Sequence, residues 1–204
     1  LLRSDNRGKT WREASPDLTR NDLPKQGPGG APITNKGAGG ETYGVIDDIA
    51  ESPHDANTLW VGTDDGYVQL TRDGGKSWKN VTPPGVGEAM VNIIEVSPHA
   101  PATAYVTISK YKFNDFTPLV FKTTDFGATW TKIVDGIAPE AWARVVREDP
   151  VRKDLLYLGT ETGFYISFTG GQRWVKLQLN LPVTPITDLR VHGNDLVAST
   201  AGRA

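Results

Sequence analysis

Asp47, Asn92 and Arg144 each stand six residues ahead of a proline (Pro53, Pro98 and Pro150), and Thr187 holds the matching place in a fourth, shorter unit. Polar residues at one repeated position can line a shared space. A carboxylate, an amide, a guanidinium and a hydroxyl there offer acceptors, donors and charge to a ligand. Trp142, Tyr111 and Tyr43 fall beside them in the repeat, and with Phe113 and Phe116 they can stack on sugar rings or hold peptide side chains. Glu140 adds an acid two residues before Trp142. The plainer reading is that a wet channel needs polar residues for no further purpose.

Asp47 is the best single catalytic candidate. Its position points inward, whereas Asp48 faces the other side of the strand. Cleavage of a glycosidic bond generally needs two carboxylates about 5–9 Å apart. The acids on this side of the repeat are Glu41, Asp47, Asp64, Asp65, Asp115, Glu140 and Glu161. Asp64 and Glu161 are equivalent residues of two units, which reads as turn formation. A clamp for an acidic sugar takes several inward arginines; Arg144 with Tyr43 or Tyr111 supplies part of one, and no second inward arginine accompanies it. His54, His99 and His192 sit in turns of different units, so no metal site is expected. Gly27-Pro28-Gly29-Gly30 lacks the lysine and following helix of a phosphate loop, and no cofactor is expected.

The elements that position these residues are repeated. Thr71 to Trp78 reads T-R-D-G-G-K-S-W and Thr123 to Trp130 reads T-T-D-F-G-A-T-W. Ser4 to Trp11 is a variant with Asn6 in place of the Asp, and Ser167 to Trp174 is a degraded copy with Thr169 there. The acidic side chain can bond the N–H groups of its own turn. The glycine supplies a left-handed backbone, and Trp11, Trp78, Trp130 and Trp174 are expected to cover the hairpin base. Asp73 and Asp125 make the strongest turns, Asn6 keeps the oxygen without the charge, and the Thr169 turn should be weakest.

Between these turns lie proline turns at 52–54, 97–99 and 149–151, each followed by apolar strands. Four short strands per unit of roughly 40–50 residues mark a propeller blade. The fold expected is therefore an all-β propeller of four-stranded antiparallel blades, with an incomplete ring. Full blades span 43–80, 90–133 and 143–178, partial blades 1–14 and 186–204, and a long insertion 15–42. Further insertions at 109–118 and 134–143 fall on the same face, opposite the Asp turns, and one-sided insertions mark a binding face.

Composition agrees with this class. The chain has 204 residues with 22 Gly and 14 Pro, which suits short strands and tight turns. The net charge of −2 comes from intermixed acids and bases, without the basic stripe of a nucleic-acid binder. No apolar run approaches a membrane span, and cysteine is absent.

The runs Val145 to Pro150, Leu156 to Gly163 and Phe121 to Trp130, with Asn194 to Arg203, resemble bacterial BNR (Asp-box) repeat proteins similar to the sortilin-type propeller. The resemblance covers nearly the whole chain except 15–42. It implies export from the cytoplasm. It also implies that the Asp box is a folding device, since the motif occurs in sialidases, in xyloglucan-cleaving enzymes and in receptors, on the face away from the active site of the enzymes. The leading expectation is a ligand-binding or scaffold module taking glycan or peptide on the insertion face, completed by further blades or a partner chain. The alternatives are a glycoside hydrolase with part of its site elsewhere, and a structural subunit docking through open blade edges.

Overall fold

The computed structural model describes residues 1–26 and 43–202. Glu41 and the glycine-rich runs at 27–30 and 37–40 lie outside the described residues. The chain opens with a two-stranded sheet of β1 (Leu2–Arg3) and β2 (Arg12–Glu13). Three four-stranded antiparallel sheets follow. The first contains β3 (Ile46–Ser52), β4 (Asp55–Thr63), β5 (Val68–Thr71) and β6 (Lys79–Asn80). The second contains β7 (Met90–Val96), β8 (Ala104–Lys110), β9 (Asp115–Thr123) and β10 (Thr131–Lys132). The third contains β11 (Ala143–Glu148), β12 (Leu156–Thr160), β13 (Gly163–Ser167) and β14 (Val175–Lys176). A last pair, β15 (Ile186–His192) and β16 (Asp195–Thr200), ends the described chain.

Strands are ordered in sequence within every sheet, and the innermost strands pack side by side: β3 on β7, β7 on β11, β11 on β15. This is the blade arrangement of an all-β propeller, and among the described residues β1 and β16 do not pair to close it. The core lies between blades. One cluster joins Trp60 and Leu70 of the first sheet to Val91, Val96 and Val106 of the second; another joins Tyr105 and Val120 to Val146 and Leu158.

The Asp turns follow their side chains. Asp73 Oδ1 accepts from Ser77 N at 2.9 Å and Thr71 Oγ1 at 2.8 Å, and Oδ2 accepts from Ser77 Oγ at 2.6 Å. Asp125 repeats the set with Thr129 and Thr123. These bonds hold both carboxyls well below the usual range, Asp125 at about 2. Asn6 Oδ1 accepts from Thr10 N at 2.9 Å, and Thr169 offers only its hydroxyl to Arg173 N, at 3.1 Å.

The tryptophans also act between blades. Trp78 Nε1 donates to Ala14 O, Trp130 Nε1 to Val81 O and Trp174 Nε1 to Ile133 O, each at the end of the preceding sheet. The turn glycines meet those same residues: a Cβ on Gly75, Gly127 or Gly171 would run into Ala14, Val81 or Ile133. Trp11 has no preceding sheet among the described residues and is 62% exposed. The turn histidines staple the seams too, His54 Nε2 to Ser97 O at 3.0 Å and His99 Nε2 to Asp149 O at 2.7 Å.

The insertion at 109–118 is mostly strand rather than loop. β8 runs to Lys110, which pairs with Asp115 of β9, and a single 3-10 turn (Tyr111–Phe113) joins them, closed by Asn114 in the left-handed region. Pro118 is tolerated because β10 pairs only with Phe121 and Lys122. The first part of the long insertion docks. Leu18 is buried, its carbonyl accepts from Gln69 Nε2, and Arg20 N and Nε donate to Asp65 Oδ2 and O.

Candidate functional site

The four innermost strands share one irregularity. In β3 the pairing with β4 steps from Ile46↔Thr63 to Asp48↔Gly62, leaving Asp47 without an opposite residue. In β7 it skips Asn92, in β11 Arg144 and in β15 Thr187. Each residue picked out by its distance from the proline turn is thus the extra residue of a β-bulge. A bulge breaks the alternation of side chains and re-aims one of them. Asp47, Asn92, Arg144 and Thr187 together line one cavity of about 190 Å³, with Tyr111 and Trp142 on its wall. Met90 and Ile93 complete the lining; nothing in the amino-acid sequence marked them, because both occupy ordinary strand positions.

The aromatic wall is built across two blades. Tyr111, from the 3-10 turn of the second blade, stacks on Trp142, which leads into β11, with ring centroids 4.9 Å apart and planes 17° from parallel. Trp142 is buried at 5% exposure, so Tyr111, 38% exposed, presents the open face. The Arg144 guanidinium lies 4.3 Å from the Trp142 ring centre, and its Nε donates to Glu161 Oε2 at 2.7 Å. Glu161 therefore orients the arginine while other guanidinium N–H groups stay available. Asn92 is held from both ends: Nδ2 donates to Ala143 O at 2.8 Å and Oδ1 accepts from Ser109 Oγ at 3.0 Å. Thr107 Oγ1 donates to Arg144 O at 2.9 Å, tying this bulge to the second blade.

Asp47 makes no side-chain hydrogen bond among the described residues. Its carboxyl is pushed above the ordinary range by desolvation first, then by the nearby charges of Asp64 and Asp48, against a smaller opposing effect of Lys112. Asp64 is fixed by the N–H groups of Gly44 and Val45, at 3.0 and 2.8 Å, and is likewise raised, mainly by burial. The cavity thus holds one carboxylate free to meet a ligand and one guanidinium partly committed to the fold.

Tyr43 lies elsewhere. It is buried, and its hydroxyl and Lys25 Nζ both donate to Glu88 Oε1, beside the docked part of the insertion. Glu140 is exposed in the turn ahead of Trp142 and does not line the cavity. Asp115 accepts from Thr117 N, and Asp65 is buried against Arg20 and Thr63; both serve the fold. Phe113 and Phe116, each 43% exposed, stand in the same hairpin as Tyr111 and do not line the cavity.

Behind the bulges a second set of inner-strand residues forms an ion network. Arg147 of β11 donates to Glu95 Oε2 of β7 at 3.1 Å, to Asp188 Oδ1 at 2.8 Å and to Leu189 O of β15 at 3.0 Å. Asp48 Oδ2 accepts from Ile94 N at 2.6 Å, joining β3 to β7. These contacts hold four inner strands in step, which keeps the bulge residues converging on one cavity. No group of acids and histidines suited to a metal ion occurs among the described residues.

No protein-family model and no curated protein matches the chain. Solved structures do. A GH74 enzyme from Niastella koreensis is similar over 78% of this chain and 26% of its own, with TM-score 0.62 and 17% identity. The GH74 xyloglucanase from Xanthomonas campestris is similar over 88% of this chain and 27% of its own, with TM-score 0.59 and 18% identity. YCF48 bound to D1 peptide is similar over 71% of this chain and 42% of its own, with TM-score 0.54 and 19% identity. The chain spans less than half the length of each of these proteins, and likeness at such identities is one of propeller fold.

Proposed function

We propose that the chain is a ligand-binding segment of an exported bacterial Asp-box (BNR-type) propeller, and that it takes a glycan chain on the face bearing the bulge cavity. The observation that carries this reading is the joining of four bulge residues, Asp47, Asn92, Arg144 and Thr187, to the open face of Tyr111 in one cavity. Planar polar side chains beside an aromatic face suit a sugar ring, whose hydroxyls need donors and acceptors and whose C–H face packs on a π surface. Phe113 and Phe116, exposed in the same hairpin, are further aromatic groups that a longer chain could reach. The similarity in fold to a xyloglucanase is in keeping with the reading. Export rests on the Asp-box resemblance alone.

The test is calorimetric titration with xyloglucan and β-glucan oligosaccharides. Tyr111→Ala should weaken binding about fivefold, the loss of one aromatic contact of roughly 1 kcal/mol, and Asp47→Asn should weaken it with no product formed by either protein. Release of reducing sugar by the wild type, abolished in Asp47→Asn, would instead make the chain part of a glycoside hydrolase. Failure of all these glycans to bind would sink the reading.

A second reading rests on likeness in fold to YCF48, which is bound to a peptide: the same cavity would take a peptide side chain against Tyr111. Amide shifts at Asn92, Tyr111 and Arg144 on addition of an extended peptide, absent with the glycans, would favour it.

A further inference from the structure

The seam between the second and third blades differs from its neighbours at three equivalent positions. The strand registers align Trp60, Tyr105 and Tyr157 on the second strands, and Leu70, Lys122 and Ile166 on the third. On the inner strand of the blade that follows each seam they align Val96, Glu148 and Val191. At the first seam Trp60, Leu70 and Val96 lie in one apolar cluster. At the second the same places hold Tyr105, Lys122 and Glu148, and these border a cavity of about 340 Å³ that opens among the Asp turns, away from the bulge cavity.

Glu148 is 4% exposed. Its Oε1 accepts from Asp154 N at 3.0 Å, but Oε2 is buried with no hydrogen-bond partner among the described residues. A buried acceptor left unpaired is costly, and more so when charged, while valine fills the place at both flanking seams. Lys122 does not satisfy this oxygen. Its ammonium reaches Asp154 Oδ1 and Gly170 O, both at a long 3.4 Å, and passes 5.4 Å from the Tyr105 ring centre. The Tyr105 hydroxyl lies beside the carboxylate but outside hydrogen-bond geometry, so Oε2 keeps no close donor; the hydroxyl is pushed far above its ordinary range by burial first, then by the charges of Glu148 and Asp154 and a weak pull from the Glu148 side chain. Glu148 and Asp154 balance Lys122 and Lys153 around the cavity, which disfavours a ligand with net charge.

We propose that this cavity is a second small-ligand site that takes one neutral sugar residue, a hydroxyl of which donates to Glu148 Oε2 when the loosely held Lys122 side chain swings outward. The site shares no residue with the bulge cavity, so either can fail without the other.

The experiment is amide shift mapping by NMR on the whole chain, titrated with D-glucose and D-xylose, with methylammonium and acetate as charged comparators. Saturable shifts at Tyr105, Glu148 and Asp154 are expected with the sugars only. They should need about tenfold more sugar in Glu148→Gln, which keeps the side-chain size while removing the charge that strengthens the bond, and should vanish in Glu148→Val, the residue of the flanking seams. The absence of saturable shifts in the wild type, unchanged affinity in a folded Glu148→Gln, or a response to methylammonium alone would overturn the proposal. So would crystals soaked in glucose that show only an ordered water on Oε2.

Discussion

Replacing Gly127 by alanine tests whether the Asp turns hold neighbouring blades together or only close their own hairpins. Gly127 has φ +76°, and an added Cβ would stand 2.7 Å from Val81 Cβ in the preceding blade. Gly85 has nearly the same backbone, φ +78°, and nothing within 4 Å of the equivalent atom. Gly85→Ala therefore bears only the left-handed strain of an L-residue, about 1–2 kcal/mol. Gly127→Ala bears that strain and the overpacking of a filled seam, about 1–3 kcal/mol more. The difference between the two variants isolates the seam. Urea unfolding followed by tryptophan fluorescence gives both values, and the thermal midpoint should fall by about 2–4 °C for each added kcal/mol. Equal losses in the two variants would show that the blade-to-blade contact of Gly127 contributes nothing, and the seam account of the Trp–Gly turn would be wrong.

Three further outcomes follow from other parts of the structure. Arg147→Met should destabilise by about 3 kcal/mol in the same denaturation assay, because it leaves Glu95, already raised by burial, without its cation. Asp73 and Asp125 have folded pKa values below their unfolded ones, so the stability they lend is complete above the ordinary aspartate range and is lost as pH falls through it toward about 2. The stability gap between the wild type and the double variant Asp73→Asn, Asp125→Asn should therefore narrow steadily below about pH 4, the upper edge of that range; a gap that stays constant across the acid limb would contradict it. Trp174→Ala should cost about 3–5 kcal/mol, whereas Trp11→Ala should cost little and should remove the largest single share of the acrylamide-quenchable fluorescence, since Trp11 is 62% exposed while Trp78 and Trp130 are half-buried and Trp174 is 2% exposed.

What the amino-acid sequence determined was everything governed by neighbours along the chain. The D-x-G turn is closed by atoms within five residues, so Asp73 and Asp125 could be recognised together with the weaker Asn6 and Thr169 versions. The spacing from each proline turn located Asp47, Asn92, Arg144 and Thr187, because strand length and turn chemistry repeat locally. The all-β blades were legible for the same reason. Contacts between blades were not. A bulge exists only relative to a partner strand, so the skipped pairing of those four residues has no trace in the chain itself. Tyr111 meets Trp142, and Tyr43 turns away to Glu88, through distances that sheet stacking alone sets. The Trp residues reached the preceding blade because the turn glycines let the two backbones approach closely. Short-range hydrogen bonding wrote the repeat into the sequence; the packing of one sheet on the next decided which repeated residues would share a cavity.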